Sequence, residues 1–300
     1  MIVKNVKIVE EGSRDGLQNI KQYVPTHVKV ELIHMLQCAG LKNIEVTSFV
    51  NKEWVPQFAD NNEVMYAINK QSDIKYGVLT PNLRGYRDAL VHKPDFISVF
   101  TAASETFNQK NINCSIEESI ERFRPVIESA KKDGILVRGA ISCVAGCPYE
   151  GDIDPKQVGY VVKLMKDIGV DNLIVADTIG TGTPNKIKEV LEQTLLHYSV
   201  DDITGHYHDT YGQALANIYA SLEMGVWHYD AAVAGLGGCP YAKGATGNVS
   251  TEDVVFMLHN MGIDTGINLD LLIDAGEYIT KFLGIRNESK VAAALLAKRN

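Results

Sequence analysis

Cysteine is sparse in this 300-residue chain. There are five, Cys38, Cys114, Cys143, Cys147 and Cys239, an odd number at irregular spacing. They give no disulfide framework, and a chain of this length buries enough core to need none. Positive charge is also short. The net charge is −8 at pH 7, which argues against general nucleic-acid binding but leaves room for a small anion held by local positive charge. No apolar run approaches the roughly 20 residues of a membrane helix. The opening "MIVKNVKIVEEG" alternates apolar residues with Lys and Glu and lacks a signal-peptide core. With the ending "LAKRN", which is no peroxisomal address, this makes a cytoplasmic location the expectation, with no membrane or nucleic-acid partner. Neither G-x-x-x-x-G-K-[ST] nor G-x-G-x-x-G is present. Ser/Pro-rich linkers and low-complexity tracts are absent too, so residues 1–300 read as a single domain.

What the chain does have is alternation. Short β-branched runs at 6–10, 43–48, 75–80, 96–102, 137–142, 172–178, 203–208 and 229–235 read as strands. Helical patterns lie between them. "PTHVKVELIHMLQCAG" is apolar at Val28, Leu32, Met35 and Leu36 and closes on Gly40, and "SIEESIERFRPVIESAKKDG" and "DPKQVGYVVKLMKDIG" repeat the design. Eight βα units in this length suit a closed (β/α)8 TIM barrel, an α/β fold, better than an open sheet. The barrel is expected over about 1–262. Two more helices, near 268–283 and 287–298, form a C-terminal extension over about 263–300 that covers one end or makes a subunit contact.

In such barrels chemistry sits where the strands end at their C-terminal side. The seventh strand ends in "GHYHD", and side chains two apart on a strand face the same way, so His206 and His208 both point into the mouth. Alone, H-x-H reads equally well as two hydrogen-bonded core histidines or as a metal site. Other strand ends favour the metal. Arg14 and Asp15 follow strand one, although a solvated Arg-Asp turn is the plainer reading there. Glu45 lies between Ile44 and Val46, so alternation turns it inward; an unpaired carboxylate there is costly, and Arg14 is the expected cation. Asp177 ends strand six, where it could also simply cap a loop. After strand eight comes "AGLGGCPYAKGATGNVSTED", with five glycines, Cys239, and Asn248 just before a helix capped by Ser250 and Asp253. It reads as a mobile lid carrying a thiol. Cys143 and Cys147 form C-x3-C with no second pair and are given no metal role. Lys21 and Lys243 are candidate anion contacts.

The segments "GSRDGLQN", "IEVTSFV", "WVPQ", "ADTIGTGTP", "GHYHDTYGQALAN" and above all "AGLGGCPYAKGATGNVSTED" resemble the 3-hydroxy-3-methylglutaryl-CoA lyase family, over nearly the whole chain. That resemblance implies a metal-dependent TIM-barrel lyase splitting 3-hydroxy-3-methylglutaryl-CoA into acetyl-CoA and acetoacetate, in leucine degradation or ketone-body metabolism, most often as a homodimer. It implies metal ligands at Asp15, His206, His208 and Asn248. It implies catalytic roles for Arg14, Asp15, His206 and Cys239, with Glu45 and Asp177 supporting and Asp209 steadying the site from behind. The donor set suits magnesium (Mg²⁺) or manganese (Mn²⁺), zinc (Zn²⁺) less well. A related acyl-CoA synthase or aldolase acting on a 2-oxo acid is the nearer rival, although such relatives lack the Cys239 segment. A catalytically silent metal- or acyl-CoA-binding protein is the more distant one.

Overall fold

A computed structural model describes residues 5–238 and 247–299. Eight parallel strands close into a barrel: β1 (Lys7–Glu10), β2 (Asn43–Ser48), β3 (Lys75–Leu79), β4 (Phe96–Ala102), β5 (Leu136–Ser142), β6 (Asn172–Asp177), β7 (Ile203–Tyr207) and β8 (His228–Ala231). They run in chain order round the barrel, with β1 hydrogen-bonded to both β2 and β8. The expected fold class is the observed one, and the first seven strands lie within one residue of the expected positions, while the eighth is shorter than the expected 229–235. Parallel strands are covered on both faces, which is why β2 is buried at all six residues.

The surrounding helices begin and end on local signals. Ser115 and Glu118 form a reciprocal cap on the helix Ile116–Lys132. Asp154 caps Pro155–Asp167, with proline at its first position. Gly40 and Gly169 take the positive φ, +99° and +92°, of the turns beyond their helices. After the helix Thr251–Asn260, Leu269–Leu283 packs on Thr26–Cys38, and Lys290–Arg299 packs on Thr251–Asn260. The extension thus lies against the outer helices beside the seam between β8 and β1. No helix among the described residues is long and apolar enough to cross a membrane.

Three local features depart from the expectation, and all stand at the mouth. β8 stops at Ala231, and Val233–Gly235 form a tight turn with Ala234 at φ +58°. The Arg14–Asp15 turn is not a solvated one. Gly12–Gly16 is a single π-helical turn closed by Gly16 N donating to Glu11 O. A two-stranded ribbon, Gly146–Cys147 with Gly151–Asp152, and a helix, Glu105–Ile112, are inserted among the loops.

Candidate active site

The π-turn decides where Arg14 points. Gly12 leaves no room for a Cβ, which would come 2.6 Å from Glu10 Oε1 and 2.8 Å from Val233 Cγ1. Arg14 then donates from Nη2 to Glu11 (2.7 Å), from Nη1 to Asp15 (2.7 Å) and from Nε to Glu45 (2.6 Å). The inward carboxylate expected at Glu45 is fully buried, and its cation is Arg14. Its other oxygen accepts from Ser98 Oγ at 2.5 Å.

β7 carries His206, and His208 follows it directly. Their Nε2 atoms face each other at 3.3 Å. Asp15 joins them, the three ligand atoms all lying within 4.8 Å of one another. The chain at Asn248 pairs antiparallel with His208, and its side-chain amide donates to Asp15 Oδ2 at 2.7 Å. Turning that amide over would present its oxygen to the same point. Burial would raise the Asp15 carboxyl, but Arg14, His206, His208 and the Asn248 amide outweigh it and hold it below the usual carboxylate range. Burial, reinforced by His206, pushes His208 down to about 4, so its ring is neutral at physiological pH. His208 Nδ1 is buried with no hydrogen-bond partner among the described residues.

His206 is fixed from behind. Its Nδ1 donates to Asp230 Oδ2 at 3.2 Å, which turns Nε2 toward His208 and Asp15. The other Asp230 oxygen accepts from Arg138 Nη2 at 2.5 Å, and Arg138 Nη1 reaches Glu11 at 3.3 Å and Glu45 at 3.6 Å. Four carboxylates, Glu11, Asp15, Glu45 and Asp230, therefore face two guanidiniums, Arg14 and Arg138. Burial and then the neighbouring carboxylates push the Glu11 carboxyl well above its usual range, although Arg14 opposes them. The Asp15 carboxylate facing two imidazole rings, with further buried carboxyl groups behind it, is a good fit to a divalent cation. Glu11, Arg138 and Asp230 went unread in the sequence. The signal was present, because Arg138 in "LVRGAIS" and Asp230 in "HYDAA" interrupt apolar strands just as Glu45 does.

The remaining candidates are dispersed. Asp177 accepts from Gly182 N at 2.8 Å and so caps its own loop; burial raises its carboxyl to about 6, against the pull of three backbone N–H groups. Its Oδ1 has no partner among the described residues. Asp209 accepts from Ala214 N at the start of the next helix. Cys239 and Lys243 lie outside the described residues, although the flanks are defined. Asn19 donates to Gly238 O at 2.9 Å, and Gly247 O accepts from Asp209 N at 3.1 Å. Gly237, at φ +114°, and Gly247 are in direct backbone contact, with no room for a Cβ on Gly247. Asp15, Arg14, His206, His208 and Asp230 line a cavity of about 1510 Å³ whose outer wall includes Lys21, Arg84, Arg122 and the exposed Trp54. Cys147 is a buried thiol against Ser104 Oγ at 3.0 Å, at a separate small cleft.

Residues 5–279 match the HMGL-like family. The chain is 51% identical over 289 residues to "3-hydroxy-3-methylglutaryl-CoA lyase, cytoplasmic" of Danio rerio, covering 96% of this chain and 86% of that one. It is 53% identical over 291 residues to "Hydroxymethylglutaryl-CoA lyase, mitochondrial" of Gallus gallus, covering 97% and 98%. The crystal structure of hydroxymethylglutaryl-CoA lyase from Pseudomonas aeruginosa superposes with a TM-score of 0.97 at 49% identity, covering 99% of both chains.

Proposed function

The chain belongs to the HMGL-like family, and from that premise we propose that it is a hydroxymethylglutaryl-CoA lyase, cleaving the acyl-CoA 3-hydroxy-3-methylglutaryl-CoA into acetyl-CoA and acetoacetate. The observation that carries this reading is the meeting of Asp15, His206 and His208 beside Arg14 at the C-terminal mouth of the barrel. In the reaction the C3 hydroxyl loses its proton and becomes the ketone of acetoacetate. The C2–C3 bond breaks, its electron pair passes to the thioester-side fragment as an enolate, and a returned proton makes acetyl-CoA.

Asp15, His206, His208 and Asn248 are the residues that would hold a divalent cation, which when bound supplies Lewis acidity toward the substrate's oxygens. We assign magnesium or manganese ahead of zinc, because a carboxylate and an amide oxygen make half the donor set. Arg14 has five N–H groups, of which three are engaged by Glu11, Asp15 and Glu45. The guanidinium is thereby locked in place, with two donors left for the developing enolate oxygen. Asp15 is the proposed base for the hydroxyl proton and His206 a proposed proton carrier beside it, and Asp230 and Arg138 fix the His206 ring so that its orientation does not drift. Cys239, in the segment between Gly238 and Gly247, is the proposed donor to the enolate carbon. Asp177 shapes the loop after β6, a supporting role. Lys21 on the outer wall suits the anionic end of the CoA moiety. We further propose that the protein is cytoplasmic and a homodimer, in keeping with the family resemblance.

The test is release of acetoacetate from 3-hydroxy-3-methylglutaryl-CoA by pure protein, before and after exhaustive chelation and with Mg²⁺ or Mn²⁺ restored. Turnover that disappears on chelation and returns with either ion is expected. Full turnover by protein shown to be metal-free removes the metal from the reading, and no turnover under any condition removes the reading itself.

A further inference from the structure

Two glutamates that line none of the mouth converge on its two most irregular turns. Glu10, at the end of β1, is fully buried. Its Oε1 accepts from Gly12 N, which opens the π-turn carrying Arg14 and Asp15, and from Val233 N, which opens the turn after β8, both at 2.8 Å. Its Oε2 accepts from Thr251 Oγ1 at 2.6 Å, three residues beyond Asn248. One carboxylate thus ties together three segments distant in sequence. Glu252, also fully buried, accepts from Ala234 N with both oxygens, at 3.0 and 2.9 Å. Ala234 is the residue held at φ +58°, and Glu288 N closes on its carbonyl from the extension at 3.1 Å. The segment so held is the one against which Asn248 rests, its amide donating to Leu236 O at 3.1 Å as well as to Asp15. Gly16 packs on Leu236 across the same boundary, where a Cβ would come within 2.8 Å.

We propose that Glu10 and Glu252 are positioning residues, which hold the turns at 12–16 and 232–236 in fixed relation and through them set Asp15 against Asn248. This rests on the metal reading above for its consequence, but not for its geometry. Among the described residues neither glutamate hydrogen-bonds the side chain of Asp15, His206, His208 or Asn248. The backbone hydrogen bonds within each turn, such as Gly16 N to Glu11 O and Leu236 N to Val233 O, leave Gly12 N, Val233 N and Ala234 N to the two glutamates, and it is the sharing of Gly12 N and Val233 N by one Glu10 oxygen that couples the turns. Burial raises Glu10 to about 7 and Glu252 to about 8, a cost that the backbone hydrogen bonds only partly offset.

The experiment compares Glu10→Ala, Glu10→Gln and Thr251→Val with the parent and with Val158→Ala, a buried change in the distant helix Pro155–Asp167. Two quantities are measured well below the melting temperature: amide hydrogen exchange in peptides spanning 12–16 and 232–236, and Mn²⁺ affinity by calorimetry with the ion alone. Glu10→Ala should speed exchange in both segments together and weaken Mn²⁺ binding by about 10- to 100-fold, the usual effect of losing a residue that orients metal ligands. Glu10→Gln keeps an oxygen for both N–H groups and should bring affinity back to within about threefold of the parent, since the acceptor and not the charge does the holding. Thr251→Val, which removes only the Oε2 contact, should act in the same direction more weakly; it decides the matter if Glu10→Ala does not fold. Val158→Ala should lower the melting temperature and leave both quantities alone. Parent-like exchange in both segments for Glu10→Ala, or for Thr251→Val in its stead, overturns the proposal, as does an equal loss of affinity in Val158→Ala. If the parent itself binds no Mn²⁺, the metal reading fails, and exchange alone decides this one.

Discussion

Arg14 and Cys239 are the two single residues whose replacement tells most about the chemistry. Lysine at position 14 keeps the charge but loses the planar fork that answers three carboxylates at once. The lysine variant should lose roughly 10²-fold or more in kcat, the scale of one oxyanion donor, with KM little changed; altered KM at normal kcat would mean that Arg14 only binds. Cys239→Ala removes a thiol without adding bulk. If Cys239 supplies the enolate's proton, kcat falls by about 10²- to 10⁴-fold while Mn²⁺ affinity is kept, and wild-type turnover would make it a bystander. At this scale the sequence is readable where one residue breaks a pattern. Glu45 stands out against Ile44 and Val46, and its need for a cation leads directly to Arg14. Arg138 and Asp230 break their strands in the same way, but their partners, 127 and 24 residues away, come from barrel closure, which no local pattern contains.

Each strand owes its place to apolar alternation, and its charged members owe theirs to one another. Arg138 on β5 reaches across the barrel to Asp230 on β8 and to Glu11 beyond β1. Arg138→Met keeps most of the volume and leaves Asp230, Glu11 and Glu45 without that guanidinium. Removing one partner of a buried ion network typically costs about 3–5 kcal/mol, and chemical denaturation should show a loss of that size; a loss below about 1 kcal/mol would mean that water or a proton replaces the guanidinium. The elements themselves were legible because parallel strands of β-branched residues and glycine-closed helices have strong periods. The π-turn at Gly12–Gly16 and the early end of β8 were not. Both depend on Glu10 and Glu252 accepting from backbone N–H groups, contacts spanning as many as 223 residues.

The whole molecule has a pH signature fixed by the sign of its shifts. Glu10 and Glu252 titrate near 7 and 8 when folded and near 4.5 by their ordinary value. The folded state therefore holds protons that the unfolded chain has released, and stability falls as pH rises through this range. His208 and His228 are both lowered to about 4 from 6.5, chiefly by burial, and work in the opposite direction, but only up to about 6.5. Between pH 6.5 and 8 the glutamates are left to dominate, with Glu10 and Asp253 adding to the shift of Glu252. The melting temperature should fall across that window, and Glu252→Gln should flatten the fall; parallel curves for the two proteins would refute the assignment. The contact between Gly237 and Gly247 has a consequence in chain statistics. It pins both ends of the intervening segment to neighbouring points on the barrel, so the span of that segment is set by the scaffold and not by its own length. Closing a loop across fixed points costs free energy that grows only with the logarithm of its length, about 0.6 kcal/mol per doubling. Residues could then be added to or removed from the segment over many generations with little change in the pull on its anchors. The number of residues between the two glycines is thus free to change while the anchors, and Asn248 beside them, stay where the barrel puts them.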